Sequence, residues 1–324
     1  MLNKIVVYLK LLKINMFNKK HAYTFLLALT MIGLLSKAQK GYKFEYGVIS
    51  GISNYLGEIG GRDKAKPFIL DLKLAKTRWN EGAYIRYRFH PSLAARVSAH
   101  YLRISGEDRL STNLGRKYRN LSFRNDIYDV EAVMDWIFFS SSKPTGIYKK
   151  ASSTYLTCYL FAGIGGFYHN PKTTYQGSVY SLQTVKTEGV SYSRFGYCIP
   201  FGAGFYIAIS KRRFKSHRIG MEINWRYTNT DYLDDVSTTW KSPAELSNTA
   251  FQLANRNDEL TSQPDGMAGN YGWIDDGNGG NKNLAPRGNP NNKDSYISLN
   301  ISYGIAIKSR YTKSRGRKIR SVTF

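Results

Sequence analysis

Cysteine is nearly missing from this chain: among 324 residues only Cys158 and Cys198 carry a thiol. They fall on opposite faces of the two strands read below, so their Cβ atoms point apart and no disulfide is expected. Neither has partners at metal-ligand spacing. Histidine is also scarce, at five residues. His90, His100, His169 and His217 are scattered, with neither a Ser-His-Asp order nor a His-metal spacing. No catalytic residue, cofactor site or metal site is therefore expected. Acid is in short supply too: 23 Asp and Glu against 47 Lys and Arg leave a net charge of +24. Nucleic acid suits such a balance, but an export signal argues against it and favours anionic headgroups or an acidic protein. Long apolar runs are also lacking. The longest, Ala22–Leu35, is shorter than the ~20 residues a helix needs to cross a bilayer.

That run has the form of a secretory leader instead. Lys19, Lys20 and His21 precede it, and Ser36-Lys37-Ala38 places small residues before Gln39. Met16 opens a complete signal, which makes Met1–Asn15 an over-called start. The expected organisation is a leader over 1–38, a barrel over 39–308 and a basic tail over 309–324.

Alternation is what the sequence has in abundance. In Tyr296–Lys308, Ile297, Leu299, Ile301, Tyr303, Ile305 and Ile307 share one face. Ser298, Asn300, Ser302, Gly304 and Ala306 share the other, the period-2 mark of a strand between an apolar and a polar medium. Seven further segments are read as strands: Tyr42–Ser50, Ala83–Phe89, Leu93–Leu102, Ile127–Phe139, Thr154–Tyr168, Arg194–Ile209 and Ile219–Tyr227. Tight connections such as His90-Pro91-Ser92 and the basic turn Lys211–His217 alternate with long ones. This predicts an all-β, eight-stranded antiparallel up-and-down transmembrane barrel with short periplasmic turns, long external loops and both termini periplasmic. Tyr42, Phe89, Tyr101, Trp136, Phe138, Phe139, Trp225 and Tyr227 fall near strand ends, as interfacial girdles do.

An eight-stranded barrel is only wide enough to be filled by its own side chains. Parity sends Glu45, Arg86, Arg88, Arg96, Asp129, Glu131, Asp135, Glu222 and Arg226 inward. Charges in so narrow a space need partners. A filled, ion-paired lumen is expected, hence no open pore. Gly163, Gly165, Gly166, Gly202 and Gly204 lie inside strands with no following helix, which excludes a phosphate loop; they are expected to make room for bulky lumen neighbours. The Asn-, Gly- and Asp-rich stretch Lys241–Lys293 reads as an external loop of poor order. Its acidic run does not match a calcium-binding EF-hand loop. For the loop residues Trp240 and Trp273, residue type alone suggests a carbohydrate-stacking surface.

Lys308, Arg310, Lys313, Arg315, Arg317, Lys318 and Arg320 follow the last strand with no acid among them. With Lys211, Arg212, Arg213 and Lys215 of the turn, they make one basic side, suited to a negative partner.

Particular stretches resemble a known family. They are Ser53-Asn54-Tyr55-Leu56-Gly57-Glu58-Ile59-Gly60-Gly61, Lys73-Leu74-Ala75-Lys76-Thr77-Arg78, Arg103-Ile104-Ser105-Gly106-Glu107-Asp108 and Arg119-Asn120-Leu121-Ser122-Phe123-Arg124-Asn125-Asp126-Ile127. They are similar to the PorG-like outer-membrane proteins of the Bacteroidota type IX secretion system. The resemblance implies a small outer-membrane barrel that anchors or assembles a periplasmic ring of PorK-like lipoprotein and PorN-like subunits. It implies a structural component in outer-membrane lipid, not an enzyme and not the translocation channel. The other reading left by the residues is a small barrel that binds a lipid or another small apolar ligand.

Overall fold

The computed structural model describes residues 42–59, 74–111, 114–141, 153–210, 215–241, 243–256, 259–260, 273–274, 283–284 and 287–308. Eight long strands form its body: β1 (Tyr42–Leu56), β2 (Arg78–His90), β3 (Leu93–Glu107), β4 (Ser122–Ser140), β5 (Ser153–Tyr175), β6 (Phe195–Ser210), β7 (Lys215–Thr228) and β8 (Ser295–Lys308). Every sequential neighbour pairs antiparallel, and the ring closes between β8 and β1, from Tyr42↔Lys308 to Leu56↔Ser295. The sheet is therefore a closed eight-stranded up-and-down barrel without a free edge, which satisfies the backbone donors and acceptors internally. Strand ends define two rims. The chain ends of β1 and β8, the Pro91-Ser92 turn and the β4–β5 and β6–β7 connections share the turn rim. The four long connections share the loop rim.

Alternation fixes which side chains face out. On β4 the burial pattern is strictly two-fold from Phe123 to Phe138. Val48, Ile85, Val97, Val130, Ile164 and Ile301 stand exposed on the exterior. Tyr128 and Phe138, ten residues apart on β4, are separated by about 33 Å along a strand. At barrel tilt that rises about 25 Å, the height of a lipid-facing belt.

Several strands run past their expected ends. β1 continues from Ser50 to Leu56, β4 begins at Ser122 rather than Ile127, β5 reaches Tyr175, and β7 begins at Lys215 rather than Ile219. The short strand Ser178–Ser181 folds back on the end of β5. These extensions keep the ladder but lose the apolar-out pattern, and the reason lies in an inversion. Toward the loop rim the interior of β3 and β4 turns apolar, with Leu102, Ile104, Phe123 and Ile127 in a buried core alongside Tyr55, Phe167, Leu233, Val236 and Tyr296. The exterior there turns charged, with Arg103, Asp126, Arg124 and Lys172. Below the inversion the barrel has the polarity of a membrane protein, above it that of a water-soluble one.

The stretch expected as a loop of poor order is partly folded. Asn248–Ala254 is helical, its Ser247 cap accepting from the Ala250 amide at 3.2 Å, and Ala250, Leu253 and Ala254 are buried. A composition rich in Asn and Gly hid a short apolar face. Trp240 is likewise buried at the loop rim with the Arg287 guanidinium 5.8 Å over its ring, not an open stacking surface. The expected leader, the acidic run near Asp275, Trp273's side chain, and the tail beyond Lys308 lie outside the described residues.

Candidate functional site: a lumen closed by paired charges

All nine charged residues assigned inward by parity are buried in the lumen: Glu45, Arg86, Arg88, Arg96, Asp129, Glu131, Asp135, Glu222 and Arg226. Eight of them fall into two ion-paired groups stacked along the lumen. At the turn-rim end Glu45 accepts from Tyr84 at 2.7 Å, contacts Arg86 at 3.4 Å and pairs with Arg218. Arg86 Nε donates to Asp135 at 2.7 Å, and Asp135 also lies 3.4 Å from Arg96. Arg96 Nη1 reaches Glu222 at 2.7 Å, and Tyr159 donates to the same carboxylate oxygen at 2.9 Å. Nearer the loop rim Arg226 Nε lies 2.9 Å from Asp129 and pairs with Glu131, while its Nη1 donates to Ser298 at 2.8 Å. Arg88 alone turns to the backbone, donating to the Pro91 carbonyl at 3.1 Å.

Aromatic rings fill the space between the charges. The Arg86 guanidinium lies 4.8 Å from the Tyr159 ring centroid and 5.5 Å from that of Tyr206. Arg96 lies 4.7 Å over Phe161. Gly202 and Gly204 make the room: a Cβ on Gly202 would meet Phe161 Cζ at 2.7 Å, and one on Gly204 would meet Tyr159 at 2.7 Å. Gly166 differs from the expectation. Its parity is outward, and a Cβ there would touch only the Gly196 carbonyl at 3.9 Å. Cys198 is buried inward and Cys158 sits between outward-facing Leu156 and Leu160; both are free thiols.

Arg218 was absent from the expected set. Its parity matches Glu222 and Arg226, but starting the strand at Ile219 left it outside. With it, five guanidinium groups (Arg86, Arg88, Arg96, Arg218, Arg226) face five carboxylates (Glu45, Asp129, Glu131, Asp135, Glu222). His100, Asp129 and Glu131 bring possible ligand atoms within 4.8 Å of one another. Arg226 already supplies the positive charge between the two acids, so the triad is organised around a guanidinium. His90, His169 and His217 lie apart from it: His169 at the loop-rim end of β5, His90 at the tight turn, and His217 on β7, 2.7 Å from the Tyr303 hydroxyl.

A second, polar layer closes the loop rim. The segment after β7 enters the barrel mouth, burying Leu233 and Val236. Asp294 accepts from Tyr55 at 2.7 Å and from the Leu233 amide at 2.9 Å. Asp234 accepts from the Ile59 amide at 3.2 Å. Glu188 binds the amides of Ser237 and Thr238, each at 3.0 Å, and pairs with Arg287 at 2.9 Å. Arg119 holds Asp108 at 2.6 Å and the Arg287 carbonyl at 2.8 Å. Burial, reinforced by neighbouring acids, pushes Glu58 up to about 8 and Asp231 up to about 7. Burial likewise raises Asp234 and Asp235 to about 6.

Of the residues expected to meet a partner, Lys215 is exposed at the turn-rim start of β7 and Lys308 ends β8. Lys211, Arg212, Arg213, Arg310, Lys313, Arg315, Arg317, Lys318 and Arg320 lie outside the described residues.

An apolar belt outside, a charge ladder inside and a packed cap define a closed-lumen β-barrel. The chain belongs to the family described as "Domain of unknown function (DUF6089)", whose model matches residues 20–262. None of the curated proteins matches it. Among solved structures it is similar to the attachment invasion locus protein Ail of Yersinia pestis in complex with sucrose octasulfate, a heparin analogue (11% identity, 84% of this chain and 100% of that one, TM-score 0.30). It is similar also to Neisserial surface protein A (10%, 84% and 100%, 0.33) and to the outer membrane protein OprG of Pseudomonas aeruginosa (8%, 85% and 100%, 0.30). The barrel assignment rests on the closed ladder rather than on these scores.

Proposed function

We propose that this protein is an outer-membrane structural component of the type IX secretion apparatus, anchoring or assembling a periplasmic lipoprotein ring and not conducting the exported chain. The observation that carries the non-conducting part is the lumen, occupied across its width by paired Arg and carboxylate side chains. A passage through it would have to separate buried ion pairs, at several kcal/mol for each bare charge. The apolar belt and the inversion of polarity above it support membrane insertion. The resemblance of the Ser53–Gly61 and Arg119–Ile127 stretches to PorG-like proteins supports the particular machine.

In this reading the leader exports the chain and the turn rim faces the periplasm. Lys215 and Lys308 end their strands on that rim, and Lys211, Arg212, Arg213 and the tail cations from Arg310 to Arg320 adjoin them in sequence. They steer an acidic surface of PorK-like or PorN-like subunits, since rim charges govern encounter and orientation. The test is co-purification of the ring subunits from detergent-solubilised membranes. Truncation after Lys308 combined with charge reversal at Arg212 and Arg213 should remove the ring while the barrel stays folded. Unchanged ring recovery would sink the docking surface.

A further inference from the structure

Arg124 on β4 and Lys172 on β5 are direct cross-strand partners, and both point outward. Like charges directly opposite on one face destabilise a sheet. Among the described residues neither has a carboxylate within ion-pair distance. Both nearby acids are already engaged: Glu107 is held by Lys76 and lies 3.5 Å from Arg109, and Asp126, on the same face of β4, accepts from Arg103 at 2.5 Å. Around the pair an open pocket of about 260 Å³ is lined by Arg78, Ser105, Ser122 and Thr174 as well. Cations and hydroxyls converge there with the local acid already neutralised, which is the chemistry of an anion site.

The position of the pocket narrows the anion. Tyr128 and Tyr168, on the same outward faces of β4 and β5, lie just below it, and the Tyr101 ring packs tilted against Tyr128 with centroids 5.0 Å apart. Such a row marks the boundary between hydrocarbon and headgroups. Below that row, centred on β4 and β5 and reaching Val97 of β3 and Tyr197 of β6, lies an open apolar groove of about 640 Å³, lined also by Val130, Ala132, Ile164, Gly165 and Gly166. Gly165 and Gly166 leave the wall without side chains there, and Pro200 on β6 has no amide to donate into the neighbouring ladder. Arg124 and Val130 are six residues apart, about 20 Å along a strand, roughly the length of an extended acyl chain.

We infer that the β4–β5 exterior binds one phosphorylated lipid of the outer leaflet. Its phosphate sits between Arg124 and Lys172, and a chain lies in the groove over Gly165–Gly166. The inference rests on the membrane orientation proposed above but not on the secretion role.

Full-length protein in detergent, titrated by native mass spectrometry, tests it. The probes are a diphosphorylated acylated glucosamine disaccharide, the same lipid without phosphates, and inorganic phosphate. Wild type should retain one phosphorylated lipid at least tenfold more tightly than the dephosphorylated form. The double variant Arg124→Gln with Lys172→Gln should lose that preference with an unchanged or higher melting temperature, because the repulsion is removed. Gly166→Leu, where the side chain has open space, should weaken the lipid several-fold and leave the phosphate preference intact. Equal binding of both lipids, or an unaltered preference in the double variant, overturns the anion site. Full competition by inorganic phosphate at the lipid's own affinity overturns the chain groove. Wild-type protein that binds the lipid but never co-purifies with the ring would count against the secretion role alone, and a barrel that stays soluble without detergent would count against the membrane orientation.

Discussion

Arg96 and Glu222 stand on opposite walls of the barrel, four strands apart in either direction around the ring, and their side chains meet at 2.7 Å. No other kind of contact so directly closes a lumen: a guanidinium and a carboxylate each extend halfway across and neutralise each other at the centre.

Arg96→Ala is expected to destabilise the barrel by about 3–5 kcal/mol, because it strands Glu222 and one side of Asp135 in a buried site. Replacing both Arg96 and Glu222 by Met should recover part of that loss. Urea unfolding followed by tryptophan fluorescence measures both. A loss below ~1 kcal/mol for the single variant would show the pair to be well hydrated.

The same ladder predicts a silent protein in planar bilayers. Wild type should give no steady current, and Arg96→Ala with Glu222→Ala should begin to pass small ions. Large stable currents from wild type would contradict a closed lumen.

Gly202→Ala should cost about 1–3 kcal/mol, as expected for overpacking. Its Cβ would meet the Ile223 carbonyl at 1.9 Å as well as the Phe161 ring. Gly166→Ala, on the open outer face, should be within about 0.5 kcal/mol of wild type. Thermal unfolding in detergent compares the two.

The cap should loosen as pH rises. Glu58, Asp231, Asp234 and Asp235 hold their protons more tightly folded than unfolded, with folded values near 8, 7, 6 and 6. Their contribution to stability is complete below the unfolded carboxylate range and is lost as pH climbs through about 6 to 8. The facing cation Arg119, despite burial, is held above its ordinary value by the Asp108 carboxylate and does not reverse the sign. Hydrogen exchange of the 231–238 amides should therefore be slower at pH 5.5 than at pH 8.5, after correction for intrinsic rates, and Glu58→Gln should flatten the difference. Equal protection at both pH values would refute the effect.

Cys158 and Cys198 report the two faces. A lipid-soluble maleimide should label Cys158 in the folded barrel and reach Cys198 only after unfolding. Labelling of both in the native state would mean that the wall opens near Gly165, where a Cβ would lie 2.9 Å from the Cys198 sulfur.

Parity alone placed Glu45, Arg96 and Arg226 inward and Val130 and Ile301 outward, since a strand between two media must alternate. Arg218 escaped because the flanking residues Lys215, Ser216 and His217 show no apolar contrast, although the ladder already runs through them. The cap was not legible for a related reason. Leu233, Val236, Trp240 and Arg287 follow no period, and their burial depends on loops from separate parts of the chain meeting over the mouth of the ring.

The two-faced strands and their inward charges follow from the residue order, because a local alternation needs nothing beyond the geometry of an extended chain. Which charge meets which, such as Arg96 with Glu222 or Arg226 with Asp129, follows from the closing of the ring. Those pairs join residues far apart along the chain, and their distances are set by strand order, register and the width of the closed ring.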